Sequence, residues 1–135
     1  MHREILFRAK VLDGDVWVTG DLHINALHPH IERLTTRRNI NINTIGQYIG
    51  IQDRKGKPIY EGDILRIEVK LTETSAEHVV KIGYVEYSVK ETAFVLVTDN
   101  MVMALGSRNL DPKVIEVVGN VVDDTELIEH IKLKA

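Results

Sequence analysis

The chain contains no cysteine. That removes disulfides, iron–sulfur clusters, thiol nucleophiles and the usual thiolate zinc sites in one step. Aromatic residues are scarce, at 5% of 135, with a single tryptophan. No unbroken apolar stretch of about 7–15 residues follows the N-terminal Met1-His2-Arg3-Glu4, so no signal peptide is expected. No run of about 18 apolar residues is present either, and no membrane partner is expected. A cytoplasmic location follows as an expectation.

A strong charge of either sign is also missing. The net charge is −3. Up to Asp63 there are 9 basic and 8 acidic residues, and beyond it 8 and 12, giving +1 and −4. So mild an asymmetry gives no polybasic footprint for nucleic acid.

What the chain has is aliphatic. Apolar residues make up 44%, mostly Val, Ile and Leu, which favour half-buried pleated surfaces. Residues 3–12 alternate, with Ile5, Phe7, Ala9 and Val11 on one face, and Asp13-Gly14 then leads into Val16-Trp17-Val18. That pattern predicts a β-hairpin. Thr19 to Asn43 has no clear period and reads as a loop. It has room for one helical turn opened by Pro29 and a short edge strand, and is the segment expected to be most mobile.

Strands are expected again over Ile45–Ile51, over Ile64–Leu71 with Leu65, Ile67, Val69 and Leu71 inward, and over His78–Val89 with Val85, Tyr87 and Val89 on one side. Further strands are expected over Ala93–Val97, covered on both faces, around Met101–Met103, and over Val114–Val122. Turns are expected at Asp53–Gly56 and at Glu61-Gly62-Asp63, and polar loops at 72–77 and 106–112. Asp123 and Glu126 read as the capping box of a C-terminal helix with Leu127, Ile128 and Ile131 as its apolar stripe.

The expected fold is mainly β: a small SH3-like barrel of antiparallel strands at 45–135 with a short C-terminal helix. Residues 1–44 would supply an N-terminal hairpin and the irregular segment, and the whole could be one folding unit. Closing the barrel would hide strand edges.

Three blocks then carry a resemblance. They are Arg3-Glu4-Ile5-Leu6-Phe7-Arg8-Ala9, then Gly46-Gln47-Tyr48-Ile49-Gly50-Ile51-Gln52-Asp53 running on to Ile59-Tyr60-Glu61-Gly62-Asp63-Ile64, then Val117-Val118-Gly119-Asn120-Val121 with Glu126-Leu127-Ile128. Together they resemble the YopX family of phage and prophage proteins. Ile49 stands where that family often has Thr, Lys10 where it often has Trp, and Thr125 where Pro is usual. The resemblance implies a phage-derived protein in a bacterial host cytoplasm. It supplies no activity, cofactor or catalytic residue.

Among the residues themselves, His28, His30 and Glu32 are spaced to lie on one side of a strand, with His23 nearby, as zinc ligands could. The competing reading is a solvated loop. Glu61 and Asp63 could work as acid and base, or simply bond the turn around Gly62 between Tyr60 and the next strand. Gly56-Lys57 lacks the flanking residues of a phosphate loop, and no serine sits in a nucleophile elbow.

Arg33, Arg37 and Arg38, with a second basic tip at Arg54, Lys55 and Lys57, could contact the phosphates or base edges of nucleic acid, or another partner. Trp17 reads either as core packing or as an interface anchor. The absence of a chemical constellation favours a non-enzymatic binding or assembly module with no cofactor. A homo-oligomer and a host or phage protein are the expected partners. A nucleic-acid-binding accessory protein is the alternative, and a metal-dependent enzyme a third.

Overall fold

The computed structural model describes residues 4–70, 77–105 and 112–134. The loops expected at 72–77 and 106–112, and the inward Leu71, lie largely outside these. The chain forms two compact units, Met1–Gly50 and Ile51–Ala135. Among the described residues the strands form two antiparallel sheets, and one short α-helix is present.

In the first unit β1 (Phe7–Lys10) and β2 (Trp17–His23) make the expected hairpin, with Lys10 opposite Trp17 and Phe7 opposite Gly20. Ala9 and Val11 are buried as the alternation requires, while Ile5 is exposed.

The stretch expected as a loop is built instead from strands. β2 runs on to His23, β3 spans His30–Arg33 and β4 spans Thr36–Asn39, followed by a short 3₁₀ turn over Ile42–Thr44. Pro29 precedes a strand and opens no helical turn. The reason is physical. Only Ile31 in β3 is a buried aliphatic, and all four residues of β4 are exposed. These strands are held by backbone pairing, with Ile31 opposite Arg38 and Arg33 opposite Thr36, so no hydrophobic period marks them.

Beyond β4 the chain returns to β1. Ile40 bridges Val11, flanked by Leu12 N–H donating to the Asn39 carbonyl and Asn41 N–H donating to the Lys10 carbonyl, both at 2.9 Å. The curl encloses Ala9, Ile31 and Ile40, packed with Phe7, Val18, Leu22 and Ile45. β5 (Gly46–Gln52) adds to the free side of β1, with Arg8 opposite Gly46.

In the second unit the Asp53–Gly56 turn leads from the end of β5 into β6 (Pro58–Tyr60). β7 (Asp63–Lys70), β8 (His78–Ser88), β9 (Ala93–Thr98), β10 (Val102–Ala104) and β11 (Ile115–Asn120) form a sheet in the order β10-β9-β8-β7-β11. Among the described residues no pairing joins β10 to β11, so this sheet is open and the expected closed barrel is not formed.

Both faces of its central strands are covered. Ile64 and Leu65 are consecutive and fully buried, as are Val95 and Leu96. Of Val85, Tyr87 and Val89, expected on one side, Val85 is buried and Tyr87 and Val89 are exposed, Val89 lying beyond the end of β8 at Ser88.

The helix α1 (Thr125–Lys134) buries Ile131. Its first bonds run from Leu127 and Ile128 N–H to the Asp124 carbonyl, so Asp124 and not Asp123 stands at the N-cap. The Asp123 carboxylate instead accepts from the Asn120 side-chain amide at 3.0 Å. Among the described residues no helix is long and apolar enough to cross a membrane.

Candidate functional site

Two features of the first unit gather chemistry-bearing residues: one face of the β2–β3 hairpin, and the outermost strand β4.

Antiparallel register sets His23 directly opposite His30. Glu32, two residues along β3, projects on the same face as His30. The three side chains converge, with one ligand-capable atom from each within 4.8 Å of the others. The Glu32 carboxylate reaches both imidazoles, its Oε2 3.3 Å from His23 Nε2 and its Oε1 3.6 Å from His30 Nε2. The rings stack at 4.7 Å, only 6° from parallel.

His30 is 4% exposed, and its Nδ1 sits 2.9 Å from the His28 carbonyl oxygen. A carbonyl only accepts, so Nδ1 carries the proton and donates. In the neutral ring that leaves the lone pair on Nε2, the atom that faces Glu32. His28 therefore takes part through its backbone, not its ring. Strand β3 begins at His30, after Pro29, so the period-two spacing that would align His28 with His30 does not extend back to it.

On β4, Arg37 lies opposite Glu32 and Arg38 opposite Ile31, so the two arginines project to opposite faces of the strand. Neither forms an ion pair among the described residues. Arg33 donates from Nη1 to the Thr19 hydroxyl at 3.0 Å. Two open grooves flank this strand. One, of about 330 Å³, has Val18, Ile31 and Leu34 beside Arg33, Thr36 and Arg38. The other, of about 340 Å³, lies between Arg37-Arg38-Asn39 and Val11-Leu12-Asp13. Leu34, in the turn from β3 to β4, is 98% exposed and has φ +55°.

The second basic tip differs. Arg54 Nη2 donates to Glu116 Oε2 at 2.8 Å, and Lys55 Nζ lies 3.1 Å from Glu116 Oε1. The Lys55 hydrogen bond and the nearby charges of Arg54, Lys55 and Arg66 hold the Glu116 carboxyl below its usual range. The Arg54 and Lys55 charges are already answered within the fold.

Trp17 is half-buried, with the Arg8 guanidinium 4.7 Å and the Lys10 ammonium 5.7 Å from its ring centroid. Its ring is thus engaged by two cations.

Asp63 is buried and accepts from the Tyr60 N–H at 2.8 Å, and Gly62 takes φ +91°. Gly62 N–H donates to the Val85 carbonyl, and the Gly62 carbonyl accepts from Val121. Tyr60-Glu61-Gly62-Asp63 is a structural turn.

Asp53, which sequence reasoning treats only as a turn residue, is 6% exposed. Its Oδ1 accepts from the N–H groups of Lys55 and Lys57 at 2.9 Å, and its Oδ2 from that of Val117 at 3.0 Å. An Asp opening a Gly-containing turn was the available signal for the first two bonds. The third depends on a strand far along the chain.

No curated protein matches the chain. The family model described as YopX protein matches residues 8–129, from the second residue of β1 to within the C-terminal helix. On that match the chain belongs to the YopX family.

Proposed function

We propose that this chain is a non-enzymatic binding module whose contact surface is β4, and that it takes an acidic, extended segment of a host or phage protein as an added strand. The observation that carries this reading is the state of β4. It is the terminal strand of its sheet, every residue in it is exposed, and Arg37 and Arg38 have no ion-pair partner among the described residues. The Asn39 carbonyl on its outer edge already accepts from the Leu12 N–H, so it is the backbone around Arg37 that offers donors and acceptors to an incoming strand, with pockets beside it for alternate side chains. The two flanking grooves fit that role, and the arginines favour carboxylates.

Leu34 supports the same surface. A leucine that is both strained and almost fully exposed is costly in a free fold, and such strain gathers where a segment makes contact. Self-pairing of two β4 strands would set arginines against arginines, so this edge suits a different partner better than a second copy. A prophage setting in a bacterial cytoplasm accords with the family.

Nucleic acid is the second reading, favoured by the same arginines. Sequence-tolerant binding to single strands leans on exposed aromatic platforms. In the first unit the single tryptophan ring is engaged by Arg8 and Lys10, which leaves it less suited to stacking on a base.

Affinity capture from host lysate tests both, comparing the native chain with an Arg37→Glu/Arg38→Glu variant, each with and without nuclease. Retention after nuclease of a protein that the variant does not hold supports the proposal. Identical capture by both chains overturns it, and loss on nuclease treatment transfers the surface to nucleic acid.

A further inference from the structure

We infer that His23, His30 and Glu32 form a binding site for one borderline divalent transition-metal ion of the Zn²⁺ class, joining β2 to β3. This goes beyond the docking surface and does not depend on it.

The donor set is the first argument. Two imidazole nitrogens and one carboxylate suit Zn²⁺, Co²⁺ or Ni²⁺, and fit poorly with Ca²⁺ or Mg²⁺, which require shells of oxygen. Three protein ligands leave a position for water or another oxygen.

The second argument is orientation. A metal-binding imidazole commonly donates its other nitrogen to a carbonyl or carboxylate, which fixes the tautomer and aims the lone pair. His30 has this arrangement: Nδ1 is bonded to the His28 carbonyl, the ring is buried, and Nε2 faces Glu32.

The third is electrostatic. Asp21 stands opposite Glu32 in the β2–β3 register, so two carboxylates share one face of neighbouring strands. Arg37, opposite Glu32 on β4, offsets part of that charge, and a bound dication offsets the remainder.

The stacked rings define what must move. Imidazole lone pairs lie in the ring plane, and those of two nearly parallel rings do not converge on one point. His30 is fixed by burial and its Nδ1 bond. The His23 side chain is 45% exposed and the Glu32 side chain 44%, so these two turn to complete the site.

The experiment is a titration of untagged protein, stripped of metal by chelator and then freed of the chelator. Zn²⁺ is followed by calorimetry and Co²⁺ by its visible absorption, with Mg²⁺ as the control. Three variants accompany the native chain: His23→Ala, Glu32→Gln and His28→Ala. Trp17 fluorescence and circular dichroism establish that each is folded.

One equivalent of Zn²⁺ is expected, together with an intense Co²⁺ spectrum of low coordination number. Loss of a ligand at His23 or Glu32 weakens binding by at least about tenfold. His28→Ala keeps the backbone carbonyl and leaves binding unchanged. No saturable Zn²⁺ binding, binding undiminished in both ligand variants, or binding lost in His28→Ala overturns the site.

Discussion

The Asp53 carboxylate accepts a hydrogen bond at 3.0 Å from the N–H of Val117, a residue 64 positions further along the chain. The same carboxylate accepts from Lys55 and Lys57, so one buried side chain fixes both its own turn and the strand β11.

Burial by itself raises the carboxyl pKa of Asp53. The backbone bonds from Val117, Lys57 and Lys55, with the Lys57 charge, outweigh it, and the net shift is downward. A carboxylate whose folded pKa is depressed contributes stability above its unfolded pKa, and loses it as pH falls through the folded value. Asp53→Asn should therefore destabilise the second unit by about 2–4 kcal/mol at neutral pH, since charge-assisted bonds are replaced and one acceptor oxygen is lost. The difference between native and variant chains should narrow as the pH falls below about 4, the ordinary carboxyl pKa. Denaturant midpoints measured by circular dichroism at pH 7 and pH 3 check this; an equal gap at both would contradict it.

Gly62 carries a second constraint in the same unit. Its φ of +91° lies where a Cβ is strained, and its N–H and carbonyl are both engaged, with Val85 and Val121. The residue cannot relax to negative φ without breaking those bonds. Gly62→Ala should cost about 1–2 kcal/mol or more. An unchanged melting temperature would show that the turn adapts freely.

Gly20 fixes the spacing of β2 and β3. A Cβ there would collide with the Glu32 carbonyl oxygen and approach the Ile31 side chain to 3.1 Å, and the φ of +154° is itself unfavourable for other residues. Gly20→Ala should push the strands apart, destabilise the first unit by about 2 kcal/mol or more and disturb the His23–His30 stack. Trp17, the single tryptophan, lies in this unit, so its fluorescence reports on it. A denaturation midpoint lowered by fluorescence is the expected result.

How much of this was legible in the sequence depends on whether side chains or backbone carried the element. β1, β7 and β9 have aliphatic patterns with Ala9, Leu65, Val95 and Leu96 buried, and their strands stand out in the chain. β3 and β4 together bury one aliphatic side chain, and their hairpin turn has Leu34 where a glycine or asparagine would have announced it. The candidate metal ligands were half-visible for the same reason. His30 and Glu32 follow from strand period, which also points to His28, whereas His23 is only nearby in the sequence and joins them through the β2–β3 register. The closed barrel is an expectation from strand edges alone, and pairing order between distant strands leaves no local trace in the sequence.

Leu34 separates stability from binding. The turn between Arg33 and Thr36 requires positive φ at its first residue, which a Cβ makes unfavourable by about 1–2 kcal/mol. Glycine occupies that region without strain, although its greater freedom when unfolded offsets part of the gain. Leu34→Gly should therefore leave the first unit as stable as the native chain or up to about 1 kcal/mol more so, even though a large side chain has been removed. The side chain is 98% exposed, so its loss removes almost no packing. Binding should move the other way, because Leu34 lines the groove beside Arg38 into which the added strand would seat. Thermal melts and capture of the β4 partner, made on the same variant, test both halves. A variant that is at least as stable yet binds more weakly identifies Leu34 as a contact residue held under strain, whereas unchanged capture would remove it from the surface and leave the arginines to carry recognition alone.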